Sequence, residues 1–91
     1  MAVIATLLKI DEERVVDALQ EAREKLDGAD GEVVLDFASV RRIDSLAIRA
    51  LEVLADHADG KGTKVVLRSV PVEVYRVLKL VKLVPRLSFT N

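Results

Sequence analysis

The chain has 91 residues, enough for one hydrophobic core and too few for two. Its 14 basic and 15 acidic residues leave a net charge of -1, so nothing in the overall balance draws the molecule to nucleic acid or to an anionic membrane. There is no cysteine, and the single histidine is His57, which excludes disulfides, thiolate or His-clustered metal sites and a cysteine nucleophile.

Residues 2–10, AVIATLLKI, are almost continuously apolar and rich in β-branched side chains, the pattern of a strand with two apolar faces. The start lacks a basic segment and its apolar run is short, so it does not read as a signal peptide. Residues 12–27 change period. Val15, Leu19, Ala22 and Leu26 form one helical stripe, with Asp11 placed to cap the start and Gly28 to end it. Residues 32–37, EVVLDF, are a second strand. A short connection, 38–43, leads to a helix over 45–58, whose stripe of Ala47, Leu51, Leu54 and Ala58 is widened by Ala50 and Ala55. Alanines at that density suit a helix lying close on a sheet. Residues 59–62, DGKG, read as a turn. Residues 63–68 are a third strand, and Pro71 suits the first turn of a third helix lined by Val74, Val77, Leu78 and Val81. Residues 86–89 read as a short final edge strand.

Strands alternating with helices predict an α/β fold: a four-stranded, mainly parallel sheet with right-handed crossovers and helices packed mostly on one face. The predicted core is Ile4, Leu8, Leu19, Val33, Leu35, Leu51, Leu54, Val65, Leu67, Val77 and Leu78. One helix layer leaves the other sheet face open or covered by a partner. Together with the apolar faces of the first strand, this leads us to expect weak homodimerisation.

Catalytic motifs are missing. There is no glycine-rich dinucleotide or phosphate loop and no nucleophile elbow. Ser45 and His57 lie on one helix about 18 Å apart at 1.5 Å per residue, too far for a nucleophile and its base. Asp36 closes a strand and Asp44 opens a helix at the sheet edge where open α/β folds place ligands. As a pair they could hold a cation, but a helix cap at Asp44 and a bond from a loop amide to Asp36 account for both. With three aromatic residues, Phe37, Tyr75 and Phe89, the chain has no surface for stacking bases. No catalytic, cofactor or metal residue is assigned, and the expected protein is cytoplasmic, with no segment inserting into a membrane.

The informative stretch is Val33 to Leu54, in which Asp44 and Ser45 enter a helix. Free N–H groups at that helix end favour an added phosphate. Here the sequence resembles the STAS domain family, found in sulphate transporters and bacterial anti-sigma factor antagonists. Val34, Leu35, Asp36, Phe37, Val40, Ile43, Asp44 and Ser45 follow its V-L-D-L-S-x-V-x-x-I-D-S-S-G-L pattern in register. Gly60–Thr63, Val65–Leu67 and the Pro71, Val74, Val77, Leu78, Leu80 series resemble later family segments. The second serine of the pattern is Leu46, its glycine is Ala47, and the glycine usual after the third helix gives way to L80-V-K-L-V.

The resemblance implies a non-catalytic regulatory domain that acts by binding protein. In anti-sigma antagonists, the serine matching Ser45 is phosphorylated by a kinase that is itself the anti-sigma factor. Asp36, Asp44, Leu46 and Arg49 then belong to the partner surface. A second subgroup sits beside the ATPase of a bacterial lipid-transport ABC system, and the V70-P-V-E-V-Y-R-V-L-K-L segment and short length are similar to it. Leu46 separates the two. Pointing outward beside Ser45, it favours apolar docking; packed inward, it leaves the serine open for a phospho-switch.

Overall fold

The computed structural model describes residues 5–26 and 32–90. Along them run β1 (Ala5–Lys9), a 3₁₀ turn (Glu12–Arg14), α1 (Val15–Leu26), β2 (Glu32–Asp36), α2 (Ser45–Lys61), β3 (Lys64–Arg68), α3 (Val72–Leu80), a second 3₁₀ turn (Val84–Arg86) and β4 (Ser88–Thr90). The strands pair in the order β1-β2-β3-β4, all parallel. Right-handed crossovers stepping in one direction put every helix on the same side of a sheet. Burial agrees: Val33 and Leu35 of β2 are sealed, while Glu32, Val34 and Asp36 between them are half-exposed.

The core lies in that single interlayer space. Val33, Leu35, Val65 and Leu67 from the sheet meet Leu19 and Leu26 of α1, Leu51 and Leu54 of α2, and Val74 and Leu78 of α3. Leu83 and Leu87 close it beneath the C-terminal segment. Tyr75 of α3 meets Phe89 of β4 edge to face, ring centres 5.2 Å apart. Of the predicted core, Leu8 and Val77 are only partly buried, because β1 is an edge strand and Val77 lies at the margin of the α3 stripe. Val81, read as part of that stripe, is 40% exposed, because α3 ends at Leu80. Ile4 and Gly28 lie outside the described residues.

Several boundaries move. The first helical region opens as a 3₁₀ turn, capped by Asp11, whose carboxylate accepts from the Glu13 amide. Pro71 is the residue before α3 and not part of its first turn. The last strand starts at Ser88, since Pro85 draws residues 84–86 into a 3₁₀ turn. The largest shift is in α2, which runs through Asp59, Gly60 and Lys61 instead of turning there. Its end is fixed at Gly62, with φ of 67°. The Thr63 amide donates to the Ala58 carbonyl at 3.0 Å and the Gly62 amide to Asp59 at 3.4 Å. This is the Schellman arrangement, which needs a left-handed residue just past the helix.

α3 ends in the same way without a glycine. Lys82 has φ of 63°. Its amide donates to Lys79 at 3.1 Å, and that of Leu83 donates to Leu78 at 2.9 Å. Leu78 and Leu83 are both buried, supplying the apolar contact that accompanies the motif. A side chain in this conformation costs roughly 1 kcal/mol or more.

The two helix ends therefore predict opposite effects. Gly62→Ala should lower stability by about 1 kcal/mol through backbone strain alone, since an added Cβ meets nothing within 4 Å. Lys82→Gly should raise it by up to about 1 kcal/mol. For scale, Leu51→Ala, which empties a fully buried position, should cost about 2–5 kcal/mol. Urea unfolding of the three variants checks all of these.

Candidate functional site

The connection from β2 to α2 is short and anchored at both ends. Phe37 and Val40 are fully buried. The Phe37 amide donates to the Arg68 carbonyl at 2.9 Å, continuing the sheet ladder past the strand end, and the Val40 amide turns back onto the Phe37 carbonyl at 2.9 Å. The Asp36 carboxylate accepts from the Ala38 amide at 2.9 Å. Glu12, in the turn before α1, accepts from the Arg41 amide at 2.9 Å. These contacts leave the chain little choice of direction as it enters α2.

Asp44 is the N-cap. Its backbone is extended, its Oδ1 accepts from the Ala47 amide at 2.8 Å, and its carbonyl accepts from Ile48 at 3.0 Å. The amides of Ser45 and Leu46 precede the first intrahelical acceptor and face out of the helix end. Ser45 is exposed, and Leu46 points outward at 68% exposure. Asp36 and Asp44 are thus engaged with separate backbone amides rather than converging on a cation. Among the described residues, no group of three or more His, Cys, Asp or Glu side chains is placed to hold a metal ion.

Leu46 heads a groove of about 290 Å³ between α1 and α2. Val16, Leu19, Gln20 and Arg23 line one wall, and Leu46, Arg49, Ala50 and Val53 the other. The floor is apolar, and Val53 adds to it at 38% exposure. Arg23 and Arg49 are exposed at its margin. The arrangement suits an apolar side chain carried on an acidic surface. Of the predicted residues, Leu46 and Arg49 line the groove, Asp44 and Ser45 sit at the helix start next to Leu46 without lining it, and Asp36 stays at the strand end. Sequence reasoning missed the α1 wall and Val53. A signal was present, because Leu46, Ala50 and Val53 recur at four and three residues, a second apolar stripe beside the buried one.

Set beside known proteins, the chain matches over residues 8–84 the family model described as Mlab, STAS domain. Its fold resembles that of a candidate anti-sigma factor antagonist from Thermotoga maritima, with a TM-score of 0.79 at 18% identity over 99% of this chain and 83% of that one. It also resembles a sulfate transporter family protein from Wolinella succinogenes, with a TM-score of 0.81 at 19% identity over 98% of this chain and 80% of that one. At such identities the likeness is one of fold. No curated protein sequence matches the chain. No helix among the described residues is long and apolar enough to cross a membrane.

The cap makes a prediction. Asp44→Ala removes the acceptor for the Ala47 amide and should lower stability by about 0.5–2 kcal/mol, whereas Asp44→Ser should retain most of it. Thermal or urea unfolding measures the difference.

Proposed function

The chain belongs to the STAS domain family, and from that premise we propose that it is a non-catalytic regulatory domain that docks on a protein partner through the groove between α1 and α2. The observation that carries this reading is Leu46. A leucine 68% exposed at the head of an apolar groove, flanked by Arg49 and Arg23, is an anchor awaiting a pocket. The partner surface would be apolar at its centre and acidic around it. Of the two partner types the sequence suggests, the outward leucine favours the ATPase of a lipid-transport ABC system. Such docking would place the domain in the cytoplasm.

Burying a leucine side chain contributes about 1.5–3 kcal/mol. Leu46→Ala should therefore weaken binding to the ATPase subunit from the same genome by roughly tenfold to a hundredfold. The melting temperature should hardly change, because Leu46 packs little within its own chain. Titration calorimetry with wild type and variant tests this, and equal affinities would overturn the groove as the docking surface.

A second reading, the anti-sigma antagonist type, draws on Ser45. It is exposed beside unpaired helix N-terminal amides, so a phosphate there would be accommodated by the fold. The cost would fall on an acidic partner facing the same spot, through repulsion and desolvation. In that reading Ser45→Asp weakens partner binding at least about tenfold while Ser45→Ala preserves it. Incubation with a kinase-like anti-sigma partner, followed by mass-spectrometric mapping, checks it. Phosphate found elsewhere, or equal affinity for Ser45→Asp and wild type, would remove the switch.

A further inference from the structure

The sheet face away from the helices carries a pattern of its own. Register places Leu7, Val34 and Val66 side by side across β1, β2 and β3. Leu7 is 57% exposed, and Val66, though 8% exposed, lies outside the interlayer core. This apolar row runs between two charged ones. Toward the strand starts, Glu32 neighbours Lys64; toward the strand ends, Asp36 neighbours Arg68. Among the described residues, none of these four is held in an ion pair.

We propose that this face binds a second copy of the chain, in a weak two-fold dimer whose axis runs parallel to the strands between β2 and β3. The charge pattern selects both the occupant and the axis. Rotation about that axis keeps the strand direction and exchanges β2 with β3. Each copy then sets Glu32 over Lys64 of its mate and Asp36 over Arg68, with Val34 over Val66 between them. Both ion pairs occur twice, as an isologous interface requires. The other face-to-face two-fold, perpendicular to the strands, would stack Glu32 on Asp36 and Lys64 on Arg68, opposing like charges throughout. Aligned packing of sheets about 10 Å apart leaves room for these side chains to meet. Asp36 gives one carboxylate oxygen to the Ala38 amide and keeps the other for the partner.

The face is small. Four strands about 4.8 Å apart and about 16 Å long offer roughly 300 Å², well below the roughly 800 Å² per partner of a standard interface. Association is therefore concentration-dependent and weakened by salt. It uses the face opposite the groove, so it stands or falls independently of partner docking.

Analytical ultracentrifugation of the full chain from micromolar to millimolar concentration should show a reversible monomer–dimer equilibrium. Lys64→Glu and Glu32→Lys, both at side chains outside the core, should each weaken it at least about tenfold, by setting like charges opposite one another. Circular dichroism should show both variants folded. Mixed in equal amounts, the two variants should associate again, because positions 32 and 64 are then both acidic in one chain and both basic in the other. A wild-type chain that stays monomeric at all concentrations would overturn the proposal. So would a dimer that Lys64→Glu leaves unchanged, or variants that fail to associate on mixing.

Discussion

The handedness of the β-α-β crossover governs this molecule. With strands taken in the order β1-β2-β3-β4, a fixed hand leaves the helices no choice of side. Core, groove and open face all follow. Because α1 and α2 belong to successive crossovers, they lie next to each other and make a trough along their seam. Because no crossover among the described residues returns over the sheet, the opposite face is left to whatever side chains the odd positions of β1, and the even positions of β2 and β3, happen to carry. Those positions hold one apolar row bounded by charge, unlike the continuous hydrophobic runs of sheets covered on both sides.

The same geometry explains why the acidic residues at the strand-to-helix connection are structural. A short connection has no ladder or helix to take up its amides, and carboxylates do so instead. Asp36 and, from another element, Glu12 accept from the Ala38 and Arg41 amides of the connection, and Asp44 accepts from the Ala47 amide in the first turn of α2. Their carboxylates fix the direction of α2. What remains outward on its first turns is Ser45, Leu46 and Arg49. The far end of the helix is tied down as well: Arg86, from the C-terminal segment, contacts Asp56 and Asp59. These acidic partners hold its guanidinium above its ordinary pKa.

Much of this was legible in the sequence, where one strong local signal sufficed. Short apolar, β-branched runs marked the strands and a repeat near 3.6 the helices, and an aspartate before an apolar helical stripe marked the Asp44 cap. The resemblance to STAS domains rested on that segment, and the family match bears it out. Reading failed where competing signals met. The Asp59–Gly62 segment has turn composition, yet its first three residues stay helical, because Ala58 is buried and the Schellman bonds need the left-handed residue one position later. Lys82 was opaque for the opposite reason. Nothing in a lysine announces a positive φ, and only the burial of Leu78 and Leu83 on either side of the turn imposes it. The groove needed two helices to be neighbours before its walls could be assigned.

In-line strand order also has a meaning in time. Each strand is hydrogen-bonded only to the strands that precede and follow it in the chain. No pairing waits for a segment more than one crossover away, so the entropy of closing very long loops never has to be met. A chain leaving the ribosome could add β-α units one after another, each completed strand serving as the template for the next. The cost of such a sequence is borne at its two ends. Among the described residues β1 and β4 are the edges of the finished sheet, and a nascent chain halted before β4 would show β3 as a bare edge instead, a surface prone to wrong pairing.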